Sequence, residues 1–303
     1  MPTEYTLTLS WALTNHYLTF ARAVQEARHA LHTVEPPTGL IVDLQPCRFL
    51  EPGYLVTLAC LLEEFHRFGL SIRFLPPNDP AADRYLRNIR FYDYWQPSFD
   101  RSQYAPTHIS SALSLWQVSQ PMIDSYAQQA SRYFSQNYLP GRNLDSLSIS
   151  LAELFNNICD HAHSPVQGYC LTQYYPKKHQ LVTAVCDFGI GIPSSINNYW
   201  AAQGKDRLSD SDALRLALRR KVTTKSTPRN RGFGLDNLSN IVRSLGGHLF
   251  FLSNFATLKQ NAAAEWHTQS LAQPFFGSLI VVTLNTTALP DVEAELEEEE
   301  FSF

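Results

Sequence analysis

Glu153-Leu154-Phe155-Asn156-Asn157-Ile158-Cys159-Asp160-His161 is the stretch from which the rest of the chain can be read. Its approach carries Leu147, Leu151, Leu154 and Ile158 at helical intervals, with no Gly or Pro between them, so the run reads as a helix. Glu153, Asn157 and His161 recur every four residues, which stacks a carboxylate, a carboxamide and an imidazole on one helix face. Such a column can serve a metal–phosphate centre. An amide oxygen suits Mg²⁺, which fills most of its shell with phosphate and water. A carboxylate can accept the proton of an attacking water or hydroxyl. Polar residues at this spacing are also the ordinary solvated face of an amphipathic helix, so the column needs partners elsewhere in the chain.

Two further boxes supply them. Leu181-Val182-Thr183-Ala184-Val185-Cys186 is a short uncharged strand that runs into Asp187-Phe188-Gly189-Ile190-Gly191-Ile192-Pro193. Well downstream, Arg231-Gly232-Phe233-Gly234-Leu235 opens a helix. The ordered set Glu-x₃-Asn-x₃-His, Asp-x-Gly-x-Gly and Gly-x-Gly-Leu resembles the GHKL ATP-binding family, which includes gyrase B, histidine kinases, MutL and a major heat-shock chaperone. The resemblance covers roughly residues 145 to 285. It implies a Bergerat-type ATPase domain, with helices packed on one face of a mixed sheet.

The resemblance also assigns roles. Asn157 would hold Mg²⁺, and Glu153 would take the proton from water or a substrate hydroxyl. Asp187 would accept the exocyclic amine of adenine; an ionised carboxylate offers acceptors only, so it selects adenine over guanine. Gly189 and Gly191, followed by Ile192, would let backbone and ligand approach closely. Gly232, Phe233, Gly234 and Leu235 would present backbone N–H groups to phosphate at a helix start. A lid is expected from Leu214 to Arg231, and among its cations Lys225 and Arg231 are the phosphate ligands. Ser278 stands where the family often has a Thr that reaches adenine through water. His161 either supports the site or is satisfied by neighbouring backbone. The spacing is not that of a P-loop, which needs Gly-x₄-Gly-Lys-Ser/Thr after a strand.

The N-terminal third alternates strand and helix. Tyr5 to Ser10, Leu40 to Leu44 and Ser71 to Leu75 read as strands, and Trp11 to Leu31 and Gly53 to Phe68 as helices, which implies βαβ units. The Val42-Asp43-Leu44 strand, the Phe49-Leu50-Glu51-Pro52-Gly53 turn, the following helix and the Gly69-x-x-Ile72-x-Phe74 strand resemble a STAS domain, the module of anti-sigma-factor antagonists and sulfate transporters. Such antagonists usually carry a phosphorylatable Ser in this turn. Glu51-Pro52-Gly53-Tyr54 has no Ser or Thr, so a docking or dimerising role is expected instead. Ala81 to Trp95 and Met122 to Tyr138 read as further helices.

The expected fold is therefore α/β, an α+β sandwich in two parts. A STAS-like domain takes residues 1–96, a linker 97–120, the GHKL domain 121–288 and an acidic disordered tail 289–303. Phe255 to Pro274 reads as an insert between two closing strands, without an assigned function.

Charge and composition narrow the function. The chain has 303 residues, enough for two sizeable cores. Its net charge is −4, but the segment from Asp291 to Phe303 holds seven acids and no base, which leaves the remainder at +3. No apolar run is long enough to span a membrane, and the first residues lack the pattern of a secretory signal. Cys47, Cys60, Cys159, Cys170 and Cys186 are odd in number and lack metal-like spacing, so free thiols in a reducing cytoplasm are expected. Outside the lid no basic stripe with interleaved aromatics exists, which argues against a nucleic-acid partner.

The function these expectations describe is an Mg-ATP-binding regulatory protein. It would be an ATPase or a protein serine/threonine kinase resembling the anti-sigma-factor kinases of bacterial partner switching. Its phosphoacceptor would lie on a separate STAS-like or other regulatory protein. The alternative is an ATP-gated interaction or dimerisation module with little or no turnover, which leaves a homodimer open. A sensor histidine kinase fits less well, because no His-bearing dimerisation helix precedes the domain and His108 lies close to Pro106.

Overall fold

The computed structural model of the chain describes residues 3–10, 13, 16–96, 98–100, 111–119, 122–161, 163–218, 234–263 and 265–292. Among these, the first layer is a parallel sheet of three strands, β1 (Tyr5–Thr8), β2 (Gly39–Asp43) and β3 (Ser71–Leu75), in the order β1-β2-β3. Parallel neighbours need crossovers, and α1 (Tyr17–Ala30) and α2 (Pro52–Arg67) supply them. A third helix, α3 (Pro80–Asn88), starts where the Asp79 carboxylate accepts the N–H groups of Ala81 and Ala82. It ends short of the expected Trp95. Arg90 turns the chain with φ +58°, and a short 3₁₀ turn, Asp93–Trp95, brings Tyr94 and Trp95 into the core.

The second sheet has five strands in the order β4-β5-β6-β8-β7: β4 (Trp116–Gln117), β5 (Tyr169–Tyr175), β6 (Gln180–Asp187), β7 (His248–Gln260) and β8 (Trp266–Asn285). Every pairing described in it is antiparallel, so the expected mixed sheet is not what forms. The connections explain why. A tight turn at Pro176–His179 joins β5 to β6, and β7 and β8 are two arms of one hairpin. Strand β4 comes from the segment read as linker.

Side chains along β5 alternate between two packed layers, as the pleat demands. Tyr169 donates to Glu63 Oε2 of α2 at 2.8 Å, and Gln173 Oε1 accepts from Tyr85 of α3 at 2.5 Å. Tyr174 points the other way, its ring centroid 5.8 Å from that of Tyr138. Tyr138 ends α4 (Ile123–Asn137), which lies with α5 (Asp145–His161) and α8 (Gly234–Ser244) over that second face. Helices α4, α5 and α8 thus cover one face. The opposite face is covered as well, by α2.

That helix is the joint of the molecule. Every residue from Pro52 to Phe65 is buried, far beyond the single stripe of Leu55, Leu58, Leu62 and Phe65. A helix apolar all round must be packed all round, and α2 lies between β3 on one side and β5, β6 and β8 on the other. One continuous cluster of buried apolar side chains therefore runs from Leu7 to Leu289.

The segment from Phe255 to Pro274 is not a separate insert. It forms the outer arms of β7 and β8, paired from Ala256↔Ser270 to Gln260↔Trp266 beyond an irregularity at Ser253–Asn254. Helices α6 (Ile192–Ala201) and α7 (Asp210–Ala217) pack on this hairpin. Leu214 and Arg215, expected in the lid, belong to α7: Leu214 is buried and Arg215 donates to Thr268 Oγ1 at 2.6 Å. The start of the acidic tail is held, since Val292 N–H reaches Gly141 O and Asp291 pairs with Arg142 at 3.0 Å. Residues 293–303 lie outside the described residues. Cys47, Cys60, Cys170 and Cys186 are buried thiols outside any disulfide. No described helix is long and apolar enough to cross a membrane.

Candidate functional site

Helix α5 is positioned by its ends and its apolar stripe. Asn143 Oδ1 accepts the N–H of Asp145 at 2.7 Å and stops the chain from continuing in an extended form. Leu147, Leu151, Leu154 and Ile158 are all buried, which fixes the helix rotation and leaves Glu153 and Asn157 half-buried beside the stripe. Asn157 Nδ2 donates to Glu153 O at 2.8 Å. The amide nitrogen is thereby committed to its own helix, which leaves Oδ1 as the acceptor that the side chain can offer. Burial raises the Glu153 carboxyl above its ordinary range, which suits a group that takes up a proton.

The strand β6 ends in the Asp187 turn. Asp187 is 4% exposed, and its Oδ1 accepts the N–H of Gly189 at 2.7 Å. Among the described residues Oδ2 accepts no hydrogen bond, so a buried carboxylate keeps one acceptor for a ligand. Burial pushes the Asp187 carboxyl up to about 7, and the Gly189 N–H and the charge of Arg28 act against that rise.

The glycine turn that follows is locked to β7. Gly191 has φ +81°, and a Cβ there would stand 2.3 Å from Asn254 Oδ1. Asn254, itself at φ +49°, donates to Ile190 O at 3.1 Å and Ser194 Oγ at 2.7 Å. Ile192 N–H, at the start of α6, donates to Ser253 Oγ at 3.0 Å. Ser253 Oγ in turn donates to Gly277 O at 2.7 Å and lies 3.1 Å from Ser278 Oγ. Ser278 is the register partner of Asp187. The sequence reading missed Ser253 and Asn254; the visible signal was a polar pair ending the apolar run Leu249–Leu252.

Two contacts bring α5 to this turn. Gly168 has no room for a Cβ, which would meet Ile158 Cδ1 at 2.6 Å and Cys186 O at 2.8 Å. Ile158 follows Asn157 and Cys186 precedes Asp187. In addition, Ser164 Oγ, just beyond α5, accepts the N–H of Phe188 at 3.2 Å. Helix α8 packs alongside α5 and begins at Gly234, with Leu235 buried.

Asn157, Asp187, Gly189, Gly191, Ile192 and Ser278 thus lie on segments that the contacts of Ile158, Ser164 and Ser253 bring to the Asp187 turn, with Glu153 one turn earlier on α5 and Leu235 on a helix packed against α5. Lys225, Arg231, Gly232 and Phe233, and the side chain of His161, lie outside the described residues. Among the described residues no group of three or more His, Cys, Asp or Glu side chains could hold a metal ion. A cation held by Asn157 and phosphate oxygens needs no such group.

Elsewhere, a groove of about 910 Å³ opens between α1 and the outer arm of β8, lined in part by Arg22, His29, Leu271 and Phe276. None of the expected site residues lines it. Compared with models of known protein families and with curated protein sequences, the chain matches none.

Proposed function

We propose that the chain binds Mg-ATP between α5, the Asp187 turn and the start of α8, and acts on its γ-phosphate as a regulatory ATPase or protein serine/threonine kinase of the cytoplasm. The observation that carries the reading is the Asp187 carboxylate, buried with one unused acceptor at the end of β6, beside a helix on which Glu153 and Asn157 stand half-buried. The unused acceptor would receive the adenine amine. Asn157 Oδ1 would hold Mg²⁺, which supplies charge neutralisation for phosphoryl transfer. Glu153, its carboxyl already raised by burial, would take the proton of the attacking hydroxyl or water.

The phosphoacceptor belongs to a different protein. In this chain the turn that would hold a phosphorylatable Ser is Glu51-Pro52-Gly53-Tyr54, and it is sealed. Tyr17 donates to Glu51 Oε2 at 3.0 Å and stacks on Tyr54 with ring centroids 4.4 Å apart. This turn also starts α2, on the sheet face opposite α5.

A second reading is an ATP-gated interaction module with little turnover. It is favoured by the shared core, since α2 joins the N-terminal layer to the strand that ends in Asp187. Incubation with labelled ATP, with and without a STAS-like acceptor protein, separates the two. Release of phosphate or labelling of the acceptor supports the enzyme, and binding without either supports the module. Absence of any ATP binding contradicts both.

A further inference from the structure

The guanidinium of Arg28, on α1 of the N-terminal layer, reaches across the molecule to the turn that carries Asp187. Its carbon lies 3.8 Å from the ring centroid of Phe188, the residue after Asp187. Its Nη1 donates to Phe276 O at 2.8 Å, two residues before Ser278. The fork is held from behind by Glu64 of α2, with Nε–Oε2 at 2.6 Å and Nη2–Oε1 at 3.2 Å. Both side chains are nearly buried, at 13% and 7% exposed. One cation therefore touches the residue that follows β6 and the middle of β8, close to where Asp187 and Ser278 stand opposite each other.

We infer that Arg28 is a specificity-determining residue for the purine: through its contacts with Phe188 and Phe276 it sets the Asp187–Ser278 pair in place, and its positive charge beside the turn favours the acceptor-only form of the Asp187 carboxylate. The inference rests on the proposed adenine nucleotide site. Its chemical logic is simple. An ionised Asp187 accepts from the amine of adenine and repels the O6 acceptor of guanine, whereas a protonated Asp187 donates to O6. Burial drives the carboxyl toward the protonated form, and Arg28 opposes it. Among the described residues the other titratable groups around it are few. Helix α2 brings the Cys60 thiol, raised by burial, and Glu64, which is bonded to Arg28. Strand β6 brings Cys186, whose carbonyl accepts from Cys60 Sγ at 3.2 Å. Among the described residues, Arg28 is the one cation that acts on the Asp187 carboxyl.

The same contact makes the N-terminal layer part of the nucleotide site. A shift of α1 would move the guanidinium off Phe188 and Phe276 and weaken purine discrimination, which gives a partner bound to the N-terminal layer a direct means of regulation.

The test measures binding of fluorescent ATP and GTP analogues from about pH 6 to about pH 8.5, a range that brackets the Asp187 titration. The proteins are the full chain, Arg28→Lys, Glu64→Gln, and Arg28→Met combined with Glu64→Gln so that no lone carboxylate stays buried. The charge-free double variant is expected to lose about tenfold or more of the preference for ATP, with the pH of half-maximal ATP affinity moved up by about one unit. Arg28→Lys keeps the charge and is expected to keep most of both. Glu64→Gln removes the counter-charge and moves that pH downward, so it decides the matter if the double variant does not fold. An unchanged preference and midpoint in the double variant, or an equal loss for both purines with no change of midpoint, overturns the inference while leaving the ATP site intact. A wild-type chain that binds neither analogue overturns both.

Discussion

Asp187 and Ser278 face each other across the β6–β8 ladder, each within 5% of complete burial. Ser278 is tied through Ser253 to the backbone of Gly277 and Ile192, so one side of the pair is rigid before any ligand arrives. The other side is an acid in an unfavourable place. Its carboxyl is pushed up to about 7 from 3.8. Between these values the folded chain holds a proton that the unfolded chain has released. The contribution of Asp187 to ligand-free stability is therefore largest in acid and is lost as pH rises through about 7. The margin of Asp187→Asn over the wild type in denaturant stability should be smallest below about pH 4 and should grow between pH 5 and pH 8 by roughly 1–4 kcal/mol. A difference independent of pH would contradict this account of the turn.

Gly191→Ala tests the lock between the glycine turn and β7. With φ +81° and a Cβ 2.3 Å from Asn254 Oδ1, alanine is both strained and blocked. The expected loss is about 1–3 kcal/mol in stability. In an Asn254→Gly background the steric part is removed, so the two losses should sum to more than the double variant shows. Strict additivity in denaturant midpoints would show that the close approach carries no energy.

Glu153→Gln and Asn157→Ala should fail in different ways. The first keeps the shape and removes the base, so turnover should fall by about 10²-fold or more while ATP affinity stays near that of the wild type. The second removes the amide oxygen, the acceptor left to the side chain once Nδ2 is bonded to Glu153 O, so the gain in affinity that Mg²⁺ confers should disappear. Equilibrium binding with and without Mg²⁺ separates the two effects. A variant at Asn157 with undiminished Mg²⁺ dependence would remove that residue from the site.

Tyr17→Phe probes the sealed turn on the far face. The phenol bonds to the Glu51 carboxylate at the start of α2, and its ring lies between Tyr54 and Phe250. Losing the hydroxyl should cost about 1–3 kcal/mol in thermal or denaturant stability. Nucleotide affinity should be unchanged, since this turn and α5 lie on opposite faces of the sheet. A large loss of affinity would show that the two faces are coupled through more than α2.

Much of this architecture was readable because its signals are local. The stripe Leu147, Leu151, Leu154 and Ile158 gave α5 within its observed bounds, and the uncharged run from Leu181 to Cys186 gave β6. Strand β5 was missed because Tyr, Gln and Thr alternate there between two buried layers, and their partners Glu63 and Tyr85 lie more than eighty residues away. The pairing of β7 with β8 beyond Ser253 was hidden for a related reason. Thr268, Gln269 and Ser270 carry no apolar pattern and are held by α7 and by the opposite strand. At the site, the residues with chemical character were legible, namely Glu153, Asn157 and Asp187. Those that position them were not. Arg28, Ser253 and Asn254 act through contacts made only when distant segments meet.

The central claim is that the Asp187 turn and the α5 column form one site for an adenine nucleotide. Calorimetric titration of Mg-ATP into the wild-type chain and into Asp187→Asn tests it most directly. The expected result is saturable binding to the wild type, weakened about tenfold or more in the variant by loss of a buried charged acceptor. Absence of heat in the wild type, or equal affinity in both proteins, would contradict it.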